Sequence, residues 1–308
     1  MIGAENLKQI TIGTNEQGQR FDRYLLKLLG RANRSTIYKL MRKNTFKVNG
    51  KKVEPEYFLQ SGDLINIYLS DETFDSLVTE VQQVTPEKVS LEIVYEDDEI
   101  LIVNKPKGIL THPDKTEYKR TLSSKVQIYL SHLSTRTFKP APVHRLDKNT
   151  SGLVLFAKTY DSLKRYNALM RDRKIGKFYL CVTEGVINKS GEIKGYLLKD
   201  EDRNKVRIVK YDSDDTKYFH TRYQPLEIRG GFTVLEVELM TGRSHQIRAS
   251  LASIGHPIVG DLKYGASRRQ DAMNQMLHAY KLVIEDRVFE NRSQELDQFI
   301  GSLPPATR

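Results

Sequence analysis

The clearest hydrophobic pattern lies near the start of the chain. Phe21, Tyr24, Leu25, Leu28 and Leu29 fall at i, i+3, i+4, i+7 and i+8, which predicts an amphipathic helix stopped at Gly30. A second helix is predicted from Ser35 as N-cap, with Ile37, Tyr38, Leu40 and Met41 as its apolar side and Asn44 at its end. Phe46-Lys47-Val48 and Lys51-Lys52-Val53 flank Asn49-Gly50, the signature of a type I′ hairpin. Ser61-Gly62-Asp63 then turns into a short strand over 64–68.

Periodicity fades over 71–88, which is acidic and polar, and this stretch reads as a linker. Beyond it, strands are predicted at 90–95, 100–103, 153–158, 178–186, 218–228 and 232–240, and helices at 121–133, 160–172 and 244–254. Many strands with few regularly alternating helices indicate an α+β fold with a mainly antiparallel mixed sheet. The expected division is an N-terminal extension (1–19), a small ααβ domain (20–70), a linker (71–88) and a larger domain (89–308).

Charge sharpens this division. The chain of 308 residues carries 49 Lys and Arg against 39 Asp and Glu. Arg20 to Val53 alone hold eleven basic residues and one acid, Asp22, which leaves 38 of each sign elsewhere. A small basic module on a neutral body is the footprint of a phosphate-binding surface, although a charge run is more often only a solvated face. The single cysteine, Cys181, excludes a disulfide framework and a cysteine-pair zinc site, and fits a reducing cytoplasm. No run approaches the length of a membrane span, and the first residues lack the features of a secretion signal.

Two stretches stand out as candidate chemistry. Val143-His-Arg-Leu-Asp-Lys-Asn-Thr-Ser-Gly152 is a polar loop before an apolar strand, with Asp147 between Arg145 and Lys148. Taken alone, its aspartate reads as a turn cap. Thr241-Gly-Arg-Ser-His-Gln-Ile-Arg248 gathers Arg243, His245, Gln246 and Arg248 at a helix start, and is followed by Gly255-His-Pro-Ile-Val-Gly-Asp261 and Tyr264-Gly265. His245 and His256 read equally well as hydrogen-bonded structural histidines. The histidines lack zinc-motif spacing, and there is no glycine-rich phosphate loop.

Together these stretches resemble the signature motifs of the RluA-type pseudouridine synthases. So do Lys177-Phe-Tyr179-Leu and Asn104-Lys-Pro-Lys-Gly108, and the resemblance runs from about Leu91 to Leu282. One departure is Ser250, where many relatives carry histidine. The order helix, helix, hairpin, strand with Arg20-Phe-Asp-Arg-Tyr-Leu-Leu and Val48-Asn-Gly-Lys-Lys-Val resembles the S4 RNA-binding domain.

The resemblance implies an isomerase that breaks the N1 glycosidic bond of a uridine in RNA and rejoins the base through C5, without a cofactor or metal. It implies Asp147 as the essential carboxylate, with attack on the sugar, attack on the base and proton abstraction all open. It implies Arg248 as the ionic partner of Asp147, Tyr179 as the ring stacked on the uracil, and Arg145 as the residue that fills the gap of a flipped nucleotide. Lys148, Arg243 and His245 are assigned to substrate binding. Lys105 and Lys107, beside a proline turn, are assigned to phosphate. In the S4-like module Arg34, Lys39, Arg42 and Lys43 are expected to track the RNA backbone. The expected substrate is 23S ribosomal RNA, free or in an assembling large subunit, and the expected form is a monomer with no membrane partner. The alternatives are a transfer-RNA synthase and a non-catalytic RNA-binding assembly factor.

Overall fold

The computed structural model describes residues 7–79, 89–114, 117 and 119–305. The small domain contains β1 (Leu7–Thr11), α1 (Phe21–Leu28), α2 (Arg34–Arg42), β2 (Phe46–Val48), β3 (Leu64–Tyr68) and α3 (Asp71–Leu77). Phe21, Tyr24, Leu25 and Leu28 of α1 are buried, as the helical spacing requires, with Ile37 and Met41 of α2, Ile12, Leu59 and Ile65.

Four expectations for this region change. The segment read as an extension supplies β1, which pairs antiparallel with β3, and buried Ile12; residues 1–6 lie outside the described residues. The cap of α2 is Asn33, whose side chain accepts from Thr36 N, so the helix starts before Ser35. Asn49 and Gly50 both have positive φ (49° and 75°) and form the predicted tight turn, but 51–53 contributes only an isolated bridge. The Asn49 side chain donates to Asp63 and accepts from Leu64 N, tying the turn to β3, which takes the place of a hairpin partner for β2. The stretch read as a linker begins with α3, capped by Ser70 just before it, and Phe74, Leu77 and Val78 cover the core; residues 80–88 lie outside the described residues.

The larger domain runs β4 (Glu92–Glu96), β5 (Ile100–Lys105), α4 (Leu122–Tyr129), β6 (Ala141–Pro142), β7 (Ser151–Ala157), α5 (Tyr160–Arg171), β8 (Ile175–Glu184), β9 (Gly191–Asp200), β10 (Lys205–Val209), β11 (Thr216–Arg229), β12 (Phe232–Leu239), α6 (Gln246–Ser253), β13 (Leu277–Ile284), β14 (Arg287–Glu290) and α7 (Gln294–Ser302). The main path of its sheet has the order β10-β9-β11-β12-β8-β13-β7-β5-β4. The pairing is antiparallel except between β13 and β7. This is the α+β, mainly antiparallel mixed sheet that the sequence predicts.

Strand β7 is buried throughout because both faces of the sheet are covered. Val154 and Phe156 join a cluster with α4 and α6, while Leu153 and Leu155 pack with Tyr166 of α5. Gly152 (φ 120°) marks the approach of β7 to β13: a Cβ there would stand 2.2 Å from the Ala279 carbonyl oxygen. The residue that ends the polar loop is therefore held to glycine by the strand pairing that positions the loop.

The two domains meet through polar groups. The Thr137 hydroxyl donates to Glu16, and Gln19 reaches the same hydroxyl; all three residues are buried. Asn15 donates to the Leu133 carbonyl, and its own carbonyl accepts from Tyr160 N at the start of α5. The Lys27 ammonium lies 4.9 Å from the Tyr160 ring centroid.

Candidate active site

The 143–150 loop leaves β6, crosses the end of the sheet and enters β7, with its path set by buried contacts. Leu146 is in the core, and its N–H donates to the Thr111 hydroxyl, which donates back to the Leu146 carbonyl. Lys105 is fully buried at the end of β5, and its three ammonium protons serve the carbonyls of Pro106, Ile109 and Lys148 at 2.9–3.0 Å. Burial pulls its pKa down to about 7, against the attraction of Asp147. This corrects the expectation of a phosphate contact: the Lys105 protons are committed to the backbone that carries Asp147. Lys107 is likewise turned away, to Glu295 at 2.7 Å.

Clamped at both neighbours, Asp147 projects half-buried into a cavity of about 570 Å³. Arg248, on the first turn of α6, donates Nη1 to its Oδ2 at 3.3 Å. The same guanidinium is fixed on its other side by Asp261, with Nε–Oδ2 at 2.6 Å and Nη2–Oδ1 at 2.8 Å. Burial works against the Arg248 charge, but the two carboxylates outweigh it and hold its pKa above the ordinary value.

His245 caps α6 in the left-handed region (φ 53°). Its Nδ1 lies 2.9 Å from the Tyr264 hydroxyl, and its Nε2 lies 4.0 Å from Asp147 Oδ2. Burial is the main cause that depresses its pKa, and Arg248 adds to the effect against the pull of Asp147. Tyr264 also accepts from Val206 N and places its ring 4.9 Å from the Arg248 guanidinium carbon. Tyr179 on β8 is almost wholly buried and lines the same cavity; burial first, and then the Asp147 charge, raises the pKa of its phenol. One carboxylate thus stands beside an arginine and a histidine in a cavity that Tyr179 also lines.

Comparison with known proteins identifies the family. The profile described as RNA pseudouridylate synthase matches residues 99–253, and the S4 domain profile matches residues 19–65. The ribosomal large subunit pseudouridine synthase C of Pasteurella multocida is 33% identical, covering 96% of this chain and 94% of its own length. This chain belongs to the RNA pseudouridine synthase family. It is an isomerase of uridine in RNA. The ribosomal large subunit pseudouridine synthase D of Neisseria meningitidis is 31% identical over 90% of this chain and 75% of its own. The human RNA pseudouridylate synthase domain containing 4 shares the fold, with a TM-score of 0.57 at 21% identity over 68% of this chain and 92% of its own.

Within this synthase the expected residues separate. Asp147, Tyr179, Arg248, Arg145, Arg243 and His245 line one cavity; Lys148 does not. The Lys148 side chain is exposed, and its carbonyl accepts from Lys105 and Gly108 N. Arg145 is exposed at the cavity, and Arg243 donates Nε to the Tyr218 carbonyl. Ser250 is buried beside the Thr221 hydroxyl, away from the cavity lining. Arg34, Lys39 and Arg42 on α2 and Lys43 at its C-cap are all exposed, and the one acid between Arg20 and Val53, Asp22, is turned inward to Arg20 and Tyr38. Sequence reasoning assigned no role to Asp261 or Tyr264, although both stand in the stretch that follows Arg248. It also left out Arg171, Arg173 and Lys177 as cavity residues.

The histidine before Arg145 yields a pH prediction. His144 Nε2 accepts from Leu155 N, so the neutral ring carries its proton on Nδ1, and burial lowers its pKa from 6.5 to about 3. The unfolded chain therefore takes up this proton below about pH 6.5, and the folded chain does not. The contribution to stability is complete above that pH and is lost as pH falls toward 3. From about pH 7.5 to 5 the loss attributable to His144 is roughly 2 kcal/mol. Urea unfolding at both pH values should show a loss smaller by that amount in His144→Gln, whose amide oxygen can still accept from Leu155. Equal losses in the two proteins would contradict the assignment.

Proposed function

We propose that this synthase isomerises specific uridines of large-subunit (23S) ribosomal RNA, with Asp147 as its essential carboxylate. The observation that carries the reading is the placement of Asp147: half-buried, in ion-pair contact with Arg248, and facing the cavity that Tyr179 lines. A carboxylate so paired is fixed in direction, as each of its three conceivable roles demands. In the isomerisation the N1–C1′ bond breaks, a C5–C1′ bond forms, and the C5 proton leaves the base while N1 gains one. No atom is lost from the RNA. Tyr179 supplies a face for the uracil, and Arg145 occupies the space of the extruded nucleotide, which offsets the unstacking cost of a few kcal/mol. The ribosomal assignment is supported by the relatives named for large-subunit synthases C and D and by the basic α2 surface, whose contacts fix position without reading sequence.

The test is pseudouridine mapping in total RNA from cells lacking the protein, complemented with wild type or Asp147→Asn. Discrete large-subunit sites should lose the modification and regain it with wild type alone. Loss confined to transfer RNA would redirect the substrate, and sites restored equally by Asp147→Asn would remove the carboxylate from the chemistry.

A further inference from the structure

The cavity contains a charged group, Lys177, that the reaction does not explain. Lys177 stands two residues before Tyr179 on β8, so the two side chains leave the same face of the strand. It is 9% exposed, and its ammonium lies 3.6 Å from the Met170 thioether. Among the described residues no carboxylate lies within ion-pair reach of it. The charged groups acting on it are Arg173 and Arg243, both cationic and both lining the cavity. Burial, then these two arginines, lower its pKa. Of the two acids in the lining, Glu238 pairs with Arg222 at 3.6 Å and Asp147 with Arg248 at 3.3 Å. His144 adds an unmet donor on the same wall: its Nδ1–H is buried, with no acceptor among the described residues.

A buried ammonium without an anion is unfavourable in a folded chain, more so with two guanidinium groups nearby. Lys105 shows the other solution within this protein, where three carbonyls absorb the charge. Lys177 has no such carbonyl partners among the described residues, so its charge is left for a negative group of the ligand to complement. We propose that Lys177, Arg173 and Arg243 form an anion subsite that receives a backbone phosphate of the RNA beside the reacting nucleotide. The inference rests on the cavity being the RNA site. Lysine suits this role as a point charge that needs no fixed approach angle.

The experiment uses the full chain and an oligocytidylate about ten nucleotides long with one central uridine. Each phosphate near the uridine is replaced in turn by an uncharged methylphosphonate, and binding is read by fluorescence anisotropy across a range of salt. Lys177→Met, which fills the volume beside Met170, should bind roughly tenfold more weakly and show a salt slope shallower by about one released counterion. One methylphosphonate position should cause the same loss and add nothing in Lys177→Met. Lys177→Met should also unfold at equal or higher urea concentration, because it removes a buried unpaired charge; Lys177→Gln serves where the methionine perturbs folding. Additive losses at every position, or unchanged affinity and slope, would overturn the inference. So would displacement of the oligonucleotide by inorganic phosphate, beyond chloride of matched ionic strength, in wild type alone, which would assign the site to a free anion. This cycle reads no turnover. A coupled Lys177–phosphate pair with an active Asp147→Asn enzyme would sink the functional reading alone, and an additive cycle with an inactive Asp147→Asn enzyme would sink this inference alone.

Discussion

Replacing Asp147 by asparagine is expected to reduce turnover by at least about a thousandfold, the scale lost with an essential proton-transfer or nucleophilic group. The substitution preserves volume, so Leu146 stays in the core and the Thr111 clasp is untouched. It removes the negative charge facing Arg248 Nη1, while Asp261 still holds Nε and Nη2. The arginine therefore stays in place and the cavity becomes more positive, so affinity for RNA should hold or rise slightly. Tritium release from RNA labelled at uridine C5, read beside anisotropy binding, separates the two effects. Retained release would remove Asp147 from the chemistry, and a parallel loss of binding would recast it as a substrate contact.

Asp261→Ala should be the most destabilising single change at the site. Its side chain is 1% exposed and takes two hydrogen bonds from a guanidinium that is 9% exposed. Breaking a buried pair from one side costs about 3–5 kcal/mol, because the remaining charge stays buried without its partner. Released from Asp261, Arg248 is free to close on Asp147 with both terminal nitrogens and draw the carboxylate out of line with the cavity. Turnover should therefore fall even at temperatures where the variant is fully folded. Asp261→Asn keeps an acceptor and should lose less of both. A urea midpoint and a turnover rate equal to wild type in Asp261→Ala would mean that Arg248 needs no second anchor.

The parts of this protein that were legible in the sequence are those where function or a strong period dictates local residue choice. The spacing of Phe21, Tyr24, Leu25 and Leu28 announced a helix, and β7 appeared as an unbroken apolar run because both its faces are covered. The loop carrying Asp147 and the helix start carrying Arg248 were found by resemblance, and the structure brings them together across 101 positions. What stayed hidden depended on contacts made elsewhere in the chain. Asp261 and Lys105 are ordinary charged letters until the fold buries one against Arg248 and encloses the other in carbonyls. Strand β9 has a single buried position, Leu197, among half-buried and exposed ones, so its hydrophobic signal is weak. Helix α3 and its C-cap hide three core contacts, Phe74, Leu77 and Val78, in an acidic stretch that composition alone marks as a linker. The turn at Asn49-Gly50 was legible, but the outgoing strand expected over 51–53 does not form, and Asn49 instead ties the turn to β3 through its side chain.

The order of strands in the sheet has a consequence for the birth of the enzyme. Strand β13 comes late in the chain yet lies in the middle of the sheet, between β8 and β7. The part that carries Tyr179 and the part that carries Asp147 are not paired with each other; each is paired with β13. A nascent chain that has not yet released residue 284 from the ribosome lacks the strand that joins them, and such non-local pairings are slow to form. Until β13 has left the ribosome, the strand carrying Tyr179 and the strand that follows Asp147 therefore have nothing between them to pair with.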